Sequence, residues 1–273
     1  MKYSIYNNFG ALNSAPVLAA VESGLKRHGH TVTYHDDSAD VAVIWSQLWA
    51  GRMRPNQQVW NQYRSTGRPV LVVEVGAIQR GHTWRLMTNG ENRIVKSGNS
   101  DLRFQRLGMH LHPWKNPGQH ILIACQRPES QQWQGQPTVA QWLTKTVDAI
   151  RKHSHSHRLI HIRPHPRHRL NVIPPGCVLD LPRAVASSYD DFNFDQSINS
   201  AWCVVNFNSN PAVSAVLQGV PVFVDASSMA AAVGNTDLTQ IENPLRPDRH
   251  QWAWDLAHTE WTVEEIAQGC PWN

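Results

Sequence analysis

The sequence predicts an α/β protein made of two Rossmann-like domains in succession, residues 1–117 and 118–273, with a ligand cleft between them. Three observations predict it. Runs such as VAVIW (41–45) and VLVVEV (70–75) are apolar at consecutive positions, as strands of a parallel sheet covered on both faces must be. These runs alternate with helical patterns. The alternation stops at HLHPWKNPGQH (110–120), where Pro113, Pro117 and Gly118 crowd together, and then restarts.

In the first domain, KYSIYNNF reads as a strand and SAPVLAAVESGLKRHG as a helix with Ser14 as cap and Pro16 in its first turn. TVTYHD and DVAVIWS are strands, PNQQVWNQYRSTG is a helix ended by Gly67, and PVLVVEVG is a buried strand. In the second domain, HILIAC, RLIHIR, CVLDL, WCVVNFN and VPVFVD are strands. TVAQWLTKTVDAIRKH, FDQSINSA and NPAVSAVLQG are helices, and the tail WAWDLAHTEWTVEEIAQG is helical.

Composition narrows the class. The 273 residues suit two domains, and 41% hydrophobic residues with twelve Trp exclude general disorder. A net charge of +4 leans toward an anionic partner. The four cysteines are scattered without a CxxC pair, which points to a reducing cytoplasm. No run approaches the ~18 apolar residues of a membrane span, and MKYSIYNNFG lacks the apolar region of a signal peptide. The expected location is therefore the cytoplasm.

Two stretches of the second domain carry chemistry. In RLIHIRPHP a strand runs into Arg163, Pro164, His165 and Pro166. The prolines stiffen the loop and remove two backbone donors, so Arg163 and His165 would grip a diphosphate at the lip of the strand. In NFNSNPAVSAVLQGVPVFVD (206–225), a strand delivers Asn206, Asn208 and Ser209 to the start of a helix near Pro211, with Ser209 or Asn210 as cap. Amides of that first turn, with the helix dipole, would hold an anion. His153, His155 and His157 alternate and would share one face of a strand, but HSHSH follows a helix as a surface turn would. No CxxC or HExxH pair accompanies it, so no metal is expected.

RPHP, NSNPAVSAVLQGVPV and WTVEEIAQGCPW, taken in that order over residues 158–272, resemble the C-terminal domain of glycosyltransferases of the capsule-polysaccharide (Kdo-transferase-like) type. That group includes phage enzymes acting on 5-hydroxymethylpyrimidines of DNA. The resemblance implies a GT-B-like fold and a nucleotide-sugar donor, UDP-glucose or similar, with no further cofactor required. Arg163, His165, Asn208 and Ser209 would line the donor site, with Asn210 and Ser214 in the adjoining helix start. The family often has Glu where this chain has Ser214, and the sequence ends soon after Trp272, which leaves a closing C-terminal segment short or absent.

The first domain would then take the acceptor. Glu74 stands at the end of a buried strand, where a carboxylate is costly unless paired or used, so it is either the general base or a charge partner of Arg80 or Arg85. His165 would assist catalysis at the leaving diphosphate. Asp36 and Asp37 read as loop or cap residues, and Gly10 as a close approach of backbone to the donor phosphates. The segment after Glu74 interleaves Arg80, Trp84, Arg85, Arg93 and Lys96, a pattern suited to a phosphate backbone and a displaced base. The expected activity is hexosyl transfer to hydroxymethylcytosine or a related base in double-stranded DNA. The alternatives are transfer to a cell-surface glycan, and a non-catalytic nucleic-acid-binding protein of the same fold.

Overall fold

The structure is a computed structural model, and it describes residues 1–91, 94, 98, 100–116, 118–183 and 194–272. Contacts divide the chain into two compact units, each drawn from separated stretches. Unit 1 takes residues 1–98, 129–132 and 255–273, and unit 2 takes 99–128 and 133–254. A single boundary at 117/118 does not describe this division.

In unit 1 the apolar runs become β1 (Lys2–Ile5), β2 (Thr31–Tyr34), β3 (Val41–Trp45) and β4 (Val70–Val75), all parallel in the order β2-β1-β3-β4. Every residue of β3 is buried, as its unbroken apolar sequence requires. The segment after Glu74 contributes an unforeseen strand, β5 (Trp84–Thr88), which closes the sheet antiparallel to β4. Helix α1 (Ser14–Arg27) follows β1, and α2 (Asn56–Ser65) follows β3. In α1, Val17, Val21 and Leu25 recur every four residues and form its buried face. Ser14 is the first helical residue rather than the cap, which falls at Asn13 without a side-chain bond.

Unit 2 begins with the short α3 (Leu102–Arg106) and then builds a wholly parallel sheet. Its strands are β6 (His120–Ala124), β7 (Leu159–Arg163), β8 (Val178–Leu179), β9 (Ala201–Asn206) and β10 (Val222–Phe223), in the order β10-β9-β6-β7-β8. Helix α4 (Val139–His153) joins β6 to β7 and opens on a capping box between Thr138 and Gln141. α5 (Phe194–Ile198) precedes β9, and α6 (Asn210–Leu217) links β9 to β10. Ile121, Ile123, Leu143, Val147, Ile162 and Val205 form the centre of the core. Cys125 and Cys203 pack within it as free thiols, and burial pushes Cys125 up to about 12.

The stretch read as a linker is strapped down. His112 N–H donates to Leu217 O (3.0 Å) and Lys115 N–H to Gly219 O (2.7 Å). Arg249 donates to the carbonyls of Val216 and His112 while its guanidinium lies 3.7 Å over the Trp114 ring. Gly219, at φ 80°, is required there, since a Cβ would meet Pro113 O at 2.0 Å.

The tail is two helices, α7 (His250–Ala257) and α8 (Val263–Gln268), rather than one. Between them Trp261 pairs with Trp84 of β5 through two 2.9 Å backbone bonds. α8 opens on a capping box of Thr262 and Glu265 and lays Ile266, fully buried, against α1. The approach is close because α1 carries Gly24 there, where a Cβ would stand 2.2 Å from Ile266 O. Residues 255–272 thus form a short C-terminal segment that packs within unit 1.

Glu260, with no exposed surface, secures this return. Its carboxylate accepts from Ala77 N (2.5 Å), Ile78 N (3.1 Å) and Thr83 Oγ1 (2.7 Å), and so holds the β4–β5 turn. Glu260→Ala removes the acceptor of the partly buried Ala77 and Ile78 amides, while Thr83 Oγ1 keeps Gln79 O (3.2 Å), and we expect a loss of about 2 kcal/mol in stability, read from urea midpoints. A change under about 0.5 kcal/mol would show that the turn stands without Glu260.

Candidate functional site

Open α/β sheets bind ligands at their carboxyl edge, where the order of connection reverses. In unit 2 that reversal lies between β6 and β9. β6 delivers Gln126, which is buried, and β9 delivers Asn206, Asn208 and Ser209. Asn206 donates to Ala124 O (2.8 Å) and Ser209 Oγ (2.9 Å), and its Oδ1 accepts Ser209 N–H (2.9 Å). Asn208 N–H donates to Gln126 Oε1 (3.3 Å), and Asn208 Nδ2 to Ser227 Oγ (2.9 Å). Ser227 is itself fixed by Asp225 Oδ1 at 2.6 Å. Asn208 Oδ1 is buried without a hydrogen-bond partner in the protein.

The helix start differs from expectation in how its amides are used. Ser209 is the cap by position, but its hydroxyl bonds Asn206 rather than the helix. Ser209 N–H goes to Asn206, Ala212 N–H goes to Ser209 O (3.2 Å), and Pro211 has none. Asn210 opens α6, and Ser214, partly buried, lies one turn on. The polar surface at this edge is therefore made by side-chain amides and hydroxyls more than by helix amides. Gln126 belongs to it and was missed, since a lone Gln after a strand carries no motif.

Arg163 ends β7. It is buried and donates to Asp180 Oδ1 (3.1 Å) and Ser197 Oγ (2.8 Å), 5.9 Å over the Phe194 ring. Its Nη1 thereby joins β7, the residue after β8 and α5. His165 is partly buried, and its Nδ1 accepts Arg167 N–H (3.1 Å), so the neutral ring carries its proton on Nε2. The RPHP loop and the β9 turn are also not on neighbouring strands, because β6 lies between β7 and β9.

At the carboxyl edge of unit 1, Glu74 is partly buried and faces Arg85 across the β4–β5 ladder. Burial pushes its carboxyl above the usual range, opposed by the Arg85 guanidinium and by Gln47 N–H, which donates to Oε2 at 3.3 Å. Gln47 is buried and its Oε1 accepts Gln132 Nε2 (3.0 Å). Gly10 is needed for packing: a Cβ there would meet Ser14 Oγ at 2.0 Å. Asp36 is a loop residue that pairs with Lys2 and accepts Ser38 N–H (2.9 Å), whereas Asp37 accepts the Tyr6 hydroxyl (2.6 Å).

The basic segment does not present an unbroken face. Trp84 is 3% exposed and packs 5.2 Å from Trp45, and Arg85 is 6% exposed on β5. Pairing with β4 turned a segment read as surface into sheet. Arg80 is exposed, and Arg93 and Lys96 lie outside the described residues.

No protein-family model and no curated protein sequence matches the chain. Solved structures do. The β-Kdo 2,4-transferase of Thermosulfurimonas dismutans KpsC is 12% identical, with 98% of each chain covered and a TM-score of 0.53. The KpsC β-Kdo 2,7-transferase of the same organism is 15% identical, with 98% of each chain covered and a TM-score of 0.51. The fold is thus that of GT-B glycosyltransferases, with two Rossmann-like units.

The histidine-rich turn has another use. Among the described residues no group of three or more His, Cys, Asp or Glu gathers as a metal set, and no helix is long and apolar enough to cross a membrane. Glu242 instead organises the turn, accepting from Ser154 Oγ (2.7 Å), Ser156 N (3.0 Å) and Oγ (2.7 Å), and Arg158 (2.7 Å). Burial works against its charge, but the bonds from Ser156, Ser154 and Arg158 win and hold its carboxyl at about 2. Its unfolded value is about 4.3. The stability it contributes is therefore full above that value and lost as pH falls toward 2. Urea midpoints of wild type and Glu242→Gln should differ at pH 6 and converge as pH approaches 2; a gap that does not narrow would refute this role.

Proposed function

We propose that the protein is a glycosyltransferase that binds a nucleotide sugar at the β6–β9 edge of unit 2 and transfers the sugar to a hydroxyl. The observation that carries this reading is the polar set at that edge, with the buried Asn208 Oδ1 in want of a donor. A nucleotide sugar, rich in hydroxyl and N–H donors, supplies one. The GT-B fold supports the same choice, since KpsC transferases share it. In the reaction, the acceptor oxygen bonds to the anomeric carbon as the bond to the nucleoside diphosphate breaks. Glu74, whose burial favours a bound proton, takes the hydroxyl proton, and His165 donates a hydrogen bond from Nε2–H to the leaving diphosphate. Uridine diphosphate glucose is the first donor to test.

For the acceptor we favour a saccharide over hydroxymethylcytosine in double-stranded DNA. Of the described residues read as a DNA face, Trp84 and Arg85 are buried and Arg80 is exposed, while Arg93 and Lys96 lie outside the described residues. The test is a mass shift of oligosaccharides and of hydroxymethylated DNA with a panel of nucleotide sugars. Transfer to an oligosaccharide is expected, with donor KM raised about tenfold in Asn208→Ala and His165→Ala. Glu74→Gln should lower kcat by about 10²–10⁴-fold and abolish the acid limb of its pH profile. Binding of DNA without nucleotide-sugar binding or turnover would instead mark a non-catalytic protein.

A further inference from the structure

Four non-glycine residues among those described hold a left-handed backbone, and three of them, His35, Ser46 and Asn89, directly follow strands of unit 1. His35 (φ 49°) comes after β2 and Ser46 (φ 62°) after β3. The strand order places β1 between these two, so strained residues flank the end of β1 on both sides, at the point where the sheet reverses its connections. Such conformations cost on the order of 1–3 kcal/mol and persist only where the surroundings over-determine them.

What holds His35 is visible. Its ring stands edge-on to Tyr6 (5.4 Å) and Phe9 (5.7 Å), and its Nε2 lies 2.8 Å from Asn7 Oδ1. Phe9 is fixed through its carbonyl, which accepts Asn56 Nδ2 (3.1 Å). Asp37 is exposed and is aimed by the Tyr6 hydroxyl. An exposed amide and imidazole thus stand beside the Phe9 ring, and an exposed carboxylate is held by the Tyr6 hydroxyl two residues after the imidazole. Carboxylate and amide groups suit vicinal hydroxyls, and a phenyl ring suits the C–H face of a pyranose. Asp36, Asp37 and Asp40 follow β2 together; Lys2 pairs with Asp36, and the exposed Asp37 carboxylate opposes a phosphate backbone.

We propose that Asn7, Phe9, His35 and Asp37 form a binding subsite for a neutral saccharide ring. Its identification as the acceptor's sugar rests on the glycosyltransferase reading; the binding itself does not. The test is saturation-transfer NMR and calorimetry with methyl glycosides of glucose, galactose, mannose and N-acetylglucosamine, with a short DNA duplex as competitor. At least one glycoside should bind, with transfer from the Phe9 and His35 ring protons. Affinity should fall about tenfold in His35→Gly, which keeps the left-handed backbone without strain and removes only the imidazole. Asp37→Asn and Phe9→Leu should also weaken it, with affinity for uridine diphosphate unchanged. No binding by any of these glycosides, equal binding by wild type and all three variants, or displacement by the duplex would overturn the subsite. Failure of the glycosyltransferase reading shows separately, as absent nucleotide-sugar binding with glycoside binding intact.

Discussion

A parallel sheet covered on both faces leaves one natural place for polar side chains to gather, which is the edge where its strands end. All five strands of unit 2 and four of the five in unit 1 obey this constraint. The interiors of the central strands β3, β6 and β9 are apolar without a break, so amides, hydroxyls and carboxylates collect toward the strand ends. Asn206–Ser209 follows from that rule in unit 2. Asn7, His35, Ser46 and Glu74 follow from it in unit 1. Reversal of the strand order then selects one gap at each edge, and both gaps are lined by residues held in fixed orientations.

The elements were largely legible because burial on both faces writes itself into consecutive apolar residues. VAVIW, VLVVEV, HILIA and WCVVN could hardly be anything else. β5 was not legible, since WRLMT sits in a basic segment and owes its strand to pairing with β4. At the candidate site, Asn208 and Ser209 were readable from the strand-to-helix turn. The partners of Arg163 were not, because Asp180 and Ser197 lie 17 and 34 positions away and only the fold brings them to it. Glu260 was hidden for the same reason, 183 positions from the amide of Ala77. Strand order is likewise beyond reach of local pattern, and it is what separates RPHP from the β9 turn.

The basic balance also changes meaning. Several guanidiniums serve as flat packing pieces. Arg68 lies 4.0 Å over Tyr63 while bonding two carbonyls, and Arg249 lies over Trp114. Arg158 and Arg246 both lie against Trp202, at 3.9 and 4.9 Å. Arginine suits this use because its planar cation stacks on aromatic faces and keeps its donors for carbonyls. Part of the positive charge that suggested a polyanion partner therefore belongs to the architecture.

The return of residues 255–272 to unit 1 sets an order of manufacture. During synthesis the strands of unit 1 leave the ribosome first, yet Glu260, Trp261 and Ile266 are made after every strand of unit 2. Until then the α1 face around Gly24 is uncovered and the β4–β5 turn lacks its carboxylate. The contacts that complete unit 1 are therefore the last of the described chain to become available in synthesis.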